Sequence, residues 1–156
     1  TYYVLAGTTA VLVHNCNTAY SELDSAGRAG PAYAEVSPQT LVDAAANRIG
    51  SSAGRSYRPA GFQGDAAGHS RGHLIARQFG GSGRDLRNLV TQGQTQNNGA
   101  ISTFEDMIAD HVSSTQNTIT MSVTPQYENG GVIPSHVVIE AVDDFGWSVL
   151  GRFENI

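Results

Sequence analysis

The run Arg71-Gly72-His73-Leu74-Ile75-Ala76-Arg77-Gln78-Phe79-Gly80-Gly81 is followed by Asn88-Leu89-Val90-Thr91-Gln92, then Asn97-Asn98-Gly99, then Glu105. Residues Gly72 to Phe79 read as a short strand leaving a glycine-rich turn, ended by Gly80-Gly81-Ser82-Gly83, and Asn88 to Gln92 read as a second strand. From Asn97 to His111 the apolar residues Ile101, Phe104, Ile108 and, just beyond, Val112 recur at helical spacing, which predicts a helix of about four turns. The local order is strand, loop, strand, helix, with polar groups at its joints.

Those polar groups suit hydrolysis of a phosphodiester, which needs an activated water and neutralisation of the charge that builds on phosphate and leaving oxygen. A neutral imidazole such as that of His73 is a base suited to pH 7. Amide and carboxylate oxygens from Asn97 and Glu105 suit Mg²⁺. Eight residues apart, the two lie about 80° apart around an α-helix and can flank one site. Taken singly each has a plainer explanation: Asn97 as a helix N-cap, Glu105 as part of a solvated face, Arg77 as a cover for the sheet. His69 and His73 are also spaced as a zinc pair, but Gly68 and Gly72 disfavour the helix this would need, and no glutamate lies between them.

The charge distribution agrees with an anionic ligand there. The chain has 156 residues and a formal net charge of −5, and all nine of its basic residues are arginine. Residues 48–87 hold seven arginines against Asp65 and Asp85, whereas residues 88–156 hold only Arg152 against eight carboxylates. Guanidinium forks grip phosphate bidentately, so the basic quarter of the chain is where a nucleic acid would be met, despite the acidic total. The length fits one domain with a core of its own, the single cysteine excludes an intrachain disulfide, and no apolar run is long enough for a membrane helix.

The stretch from Arg71 to Glu105 resembles the DNA/RNA non-specific endonucleases, whose core is a His-Me (ββα-metal) finger. The resemblance implies an α+β fold with the finger mounted on an antiparallel β-sheet. It implies His73 as general base, Asn97 as Mg²⁺ ligand with Mn²⁺ as an alternative ion, Glu105 on the metal's waters, Asn88 as a site-shaping or base-orienting residue, and Arg71 in the place of the motif arginine. Arg71, Arg77 and Arg87 are then the candidate phosphate contacts, and the substrate is DNA, with RNA left open. Ser70 stands where the motif has aspartate and Thr91 where proline is common; the serine leaves a second reading, a catalytically inactive binding module. Asp24, Gly27 and Arg28 match an Asp-x-x-Gly-Arg element of the toxin-associated branch.

Working outward, Ser37-Pro38 is a helix start, with Gly50 available to close the helix. Residues 51–68 lack periodicity and read as a loop. Residues 117–124, 135–142 and 147–150 alternate as three strands of an antiparallel sheet. Residues 2–6 and 10–13 read as a hairpin, followed by His14-Asn15-Cys16, where an asparagine amide, an assisting imidazole and a thiol could serve chain cleavage. This end resembles the C-terminal end of a Hint module, the self-processing fold of inteins and Hedgehog-type proteins that often precedes the toxin domain of bacterial polymorphic toxins. That resemblance implies a Hint remnant over residues 1–16 and a nuclease domain over 17–156. It further implies a secreted toxin delivered into the cytoplasm of a target cell, and a cognate immunity protein as partner.

Overall fold

The computed structural model describes residues 2–6, 9–13, 17–94 and 99–155. Two short strands, β1 (Tyr2–Ala6) and β2 (Thr9–Val13), form an antiparallel hairpin, as their apolar runs suggest. The main sheet has five antiparallel strands: β3 (Thr18–Tyr20), β4 (Ala32–Val36), β7 (Ile119–Gln126), β8 (His136–Asp143) and β9 (Ser148–Glu154), side by side in that order. The fold is α+β, as expected, but the sheet is larger than the three strands expected. β3 is too short to show alternation, and the buried positions of β4 are Ala32, Ala34 and Val36, two of them alanines that carry little hydrophobic signal.

The finger is a second, two-stranded sheet. β5 (His69–His73) and β6 (Leu89–Gly93) pair antiparallel with His73 opposite Leu89, and helix α2 (Ala100–Thr115) follows. The expected strand at 72–79 is displaced toward the N-terminus: it ends at His73, and Arg77–Phe79 form a 3₁₀ turn closed by Gly80 in the left-handed region. Here the chain doubles back so tightly that a Cβ on Gly81 would lie 1.7 Å from the Ile75 carbonyl oxygen. Helix α2 begins and ends later than its apolar spacing suggests, and Gln116 terminates it in the αL conformation.

One apolar core joins the two parts. Met121, Val123, Ile139 and Ala141 of the large sheet pack in the same cluster as Leu74, Ile75, Phe79 and Val90 of the finger and Ile101, Ile108 and Val112 of α2. Each fully buried aliphatic or aromatic side chain here contributes about 1.5–3 kcal/mol. Helix α1 (Pro38–Ala45) is started by a reciprocal bond pair between Ser37 and Thr40, and it ends ahead of Gly50, with Asn47 at positive φ just past its last turn and Gly50 at positive φ farther on. Just ahead of β3, the Asn17 amide donates to the carbonyls of Glu35 and Phe79, joining the edge of the sheet to the finger turn.

Asn88 is the polar centre of the finger. It is fully buried; its Oδ1 accepts from the Ile75 N–H at 2.8 Å, and its Nδ2 donates to the carbonyls of Ile75 and Ser82 at 3.0 and 3.1 Å. One amide thus replaces the missing sheet partner of Ile75 and holds the turn that follows it. Removing that amide strands buried backbone groups, so Asn88→Ala is expected to lower unfolding free energy by about 3 kcal/mol, measured by urea denaturation.

Candidate active site

Strand alternation along β5 puts His69, Arg71 and His73 on one face and Ser70 and Gly72 on the other. The first face is covered by the loop over residues 51–63, and every polar side chain on it is spent holding that loop. His73 Nε2 lies 2.8 Å from the Ser51 carbonyl oxygen. A carbonyl can only accept, so Nε2 carries the proton and Nδ1 carries the free lone pair. Arg71 donates from Nε to the Tyr57 carbonyl at 3.0 Å and from a terminal nitrogen to the Arg55 carbonyl at 3.3 Å. Its guanidinium also stacks over the Phe62 ring at 4.1 Å. From β6, Thr91 Oγ1 donates to the Ala60 carbonyl, and His69 Nδ1 accepts from the Gln63 N–H.

The second face explains the glycine between Arg71 and His73. Gln92 of β6 lies across it so closely that a Cβ on Gly72 would be 1.8 Å from the Gln92 Oε1. Gln92 is buried, and among the described residues its amide has no hydrogen-bond partner. Ser70 shares this face and donates, at 3.4 Å, to the Gln92 main-chain carbonyl.

The electrostatics favour a neutral base. Burial lowers the pKa of His73 below its ordinary 6.5; the bond to Ser51 opposes this, and the nearby Arg77 charge adds to the lowering. Glu105, partly buried on α2, behaves in the opposite sense. Desolvation, with the neighbouring Asp106 charge second, pushes its carboxyl up to about 8. No hydrogen bond or ion pair to its side chain is found among the described residues. A desolvated carboxylate without a partner is costly, and a bound cation would relieve that cost.

Other candidate residues are placed differently from expectation. Arg87 is engaged by carboxylates: it donates to both oxygens of Asp85 and lies 2.8 Å from Glu22, and these carboxylates raise its pKa. Arg71 is turned inward on the loop, its guanidinium engaged by the Tyr57 and Arg55 carbonyls. Asn88 faces Ile75 and Ser82 and makes no bond to His73, so its part is to shape the finger. Arg77 is exposed and donates to Asn47 and, weakly, to Ser52 Oγ at 3.5 Å. Asn97 lies outside the described residues, as do His14, Asn15 and Cys16. No group of three His, Cys, Asp or Glu side chains arranged for a metal occurs among the described residues. The Ser51 carbonyl has no sequence signature, because any residue supplies a main-chain oxygen.

The sequence model of the DNA/RNA non-specific endonucleases matches residues 10–144. The chain belongs to this family. It is accordingly an endonuclease, a hydrolase of phosphodiester bonds in nucleic acid. Solved structures share the fold. The Sda1 nuclease with a bound zinc ion is 21% identical with a TM-score of 0.76, over 95% of this chain and 76% of that one. NucA from Streptococcus agalactiae with a magnesium ion bound is 18% identical with a TM-score of 0.70, over 96% and 77%. EndoG in its complex with EndoGI is 17% identical with a TM-score of 0.60, over 94% and 74%. No curated protein matches the chain.

Arg71 makes two main-chain bonds and a ring contact to the loop over the site. Arg71→Gln is expected to leave the far-UV circular dichroism unchanged while trypsin cuts after Arg55 faster than in the parent, read by mass spectrometry of the nicked products.

Proposed function

We propose that this endonuclease hydrolyses DNA with His73 as general base, assisted by a divalent ion for which Mg²⁺ is the best match. The observation that carries the proposal is the bond from the His73 Nε2–H to the Ser51 carbonyl, which fixes the tautomer and leaves Nδ1 free to accept a proton. In this reading Nδ1 takes a proton from the water that attacks phosphorus, while the bond at Nε2 keeps the ring in place and steadies the imidazolium that forms. The bond from phosphorus to the 3′-oxygen then breaks. Arg77, exposed and close enough to His73 to affect its charge, holds a phosphate oxygen.

The donors fit the ion in kind. Asn97 and Glu105 offer hard oxygens, and the unpartnered, desolvated carboxylate of Glu105 is the group that gains most from a cation. Bound there, Mg²⁺ would supply Lewis-acid stabilisation of the charge on the phosphate and on the leaving oxygen. The inactive-module alternative rests on Ser70, which lies on the face of β5 away from His73 and leaves the bond to Ser51 intact. That placement favours the active enzyme.

The wider setting follows the resemblance at the N-terminal end. We infer a nuclease domain over residues 17–156 and a Hint-like remnant over 1–16, with His14, Asn15 and Cys16 as candidate cleavage residues. The protein is then the toxin part of a secreted polymorphic toxin that acts in a target cell's cytoplasm. A producing cell needs an immunity protein; the EndoG/EndoGI complex supports the idea that this fold is open to inhibition by a protein.

Plasmid nicking tests the chemistry. His73→Ala is expected to lose at least about 100-fold in rate while keeping its far-UV circular dichroism. Parent-like turnover in that variant would overturn the role of His73. EDTA is expected to stop nicking, and added Mg²⁺ or Mn²⁺ to restore it. The base works in its neutral form, and its pKa is lowered from 6.5. The acidic limb of the kcat/KM profile should therefore have its midpoint below pH 6.5, with activity lost as pH falls through it.

A further inference from the structure

The nine arginines divide into two groups. Arg28, Arg48, Arg71, Arg87 and Arg152 each have a carboxylate within ion-pair distance. Arg55, Arg58, Arg77 and Arg84 have none among the described residues, and all four are exposed. The four unpaired residues fall within a single stretch of the chain, the one that surrounds His73, and the fold draws them closer still. The Gly54 N–H donates to the Gly83 carbonyl at 2.9 Å, which sets Arg55 and Arg84 on adjoining backbone. Ser51, the residue that seats His73, accepts the Gly83 N–H on its Oγ at 2.9 Å, and Ser52 beside it meets Arg77. Arg58 lies farther along the same loop, with its guanidinium 5.7 Å from the centre of the Phe62 ring.

Like charges gathered without counter-ions repel one another, and carboxylates are plentiful elsewhere in this chain, so the arrangement suits an anion supplied from outside. Its backbone is already fixed. Arg71 holds the Arg55 and Tyr57 carbonyls, Thr91 holds Ala60, and close packing leaves no room for a Cβ on Gly83. Only the ends of the arginine side chains remain to be ordered when a ligand binds, which lowers the cost of binding.

We propose that Arg55, Arg58 and Arg84 extend from Arg77 as a phosphate-binding strip that lays the nucleic-acid backbone beside His73. The proposal rests on the nuclease reading above and adds to it three substrate contacts on the loop that His73 and Arg71 hold down. The contacts are to phosphate and carry no base information, in keeping with a non-specific enzyme. The scaffold arginines Arg71 and Arg87 take no part in it.

The test is the salt dependence of binding to a duplex DNA oligonucleotide in EDTA, which withholds the divalent ion and so prevents cleavage, with the parent protein as the background so that the bond from His73 to Ser51 stays in place. Each phosphate contact contributes roughly 0.9 to the slope of log K against log salt concentration, so Arg55→Gln/Arg58→Gln/Arg84→Gln is expected to reduce the slope by about three. Its affinity at low salt should fall by about tenfold or more, with an unchanged thermal transition. Arg152→Gln, which removes an exposed arginine paired with Glu154, is expected to bind like the background protein. In the otherwise wild-type enzyme the triple substitution should raise KM more than it lowers kcat. An unchanged slope and affinity in the triple variant would overturn the strip, as would failure of the background protein to bind DNA. If the wild-type enzyme fails to nick plasmid with Mg²⁺ while the slope still falls, the strip stands and the assigned chemistry is what fails.

Discussion

The hydrogen bond from His73 to the Ser51 carbonyl joins two segments that the sequence keeps more than twenty residues apart, and much of the site depends on that junction. Ser51 is itself fixed from two sides: its N–H donates to the Gly81 carbonyl and its Oγ accepts from Gly83. Gly81 can lie there only because it has no side chain to meet Ile75, and Asn88 ties Ile75 to Ser82 across the same turn. Each bond alone is worth only about 1 kcal/mol net. Together they make the loop over 51–63 and the turn over 77–83 a single rigid cradle for one imidazole. Catalytic geometry depends on small displacements, and an imidazole held through main-chain atoms has little freedom to make them.

Arginine does two different jobs in this protein. Arg71 and Arg87 act inside the architecture, the first as a clasp on carbonyl oxygens and an aromatic ring, the second as a hub for Asp85 and Glu22. The planar fork suits such multidentate work better than an ammonium group would. With the scaffold arginines compensated in this way, the field near His73 is set by those left over. The same residue type thus builds the site and charges it, and the distinction between the two is made by the placement of carboxylates.

Those parts of the fold whose signals are local were legible. The alternation of β7 and β8, the spacing of Ile101, Ile108 and Val112, and the Ser37-Pro38 helix start lie within a few residues of the structures they specify. The Asp24 turn is of the same kind: one carboxylate accepts from Ala26 and Arg28 while Gly27 takes a positive φ, which gives the Asp-x-x-Gly-Arg element a structural reason. What could not be read depends on partners far along the chain. Arg87 looked available because Glu22, sixty-five residues earlier, gives no local sign of reaching it. The sites of Asn88 and Thr91 are decided by carbonyl oxygens, which every residue possesses and no sequence pattern marks. β5 began earlier than expected because His69 and Ser70 are polar on both faces and show no alternation of apolar residues.

The Asn17 amide bridges the Glu35 carbonyl on β4 and the Phe79 carbonyl on the finger turn. One side chain at residue 17 therefore ties the start of the main sheet to the finger turn. Losing that amide would leave the Phe79 carbonyl without this donor, at the turn that carries Arg77.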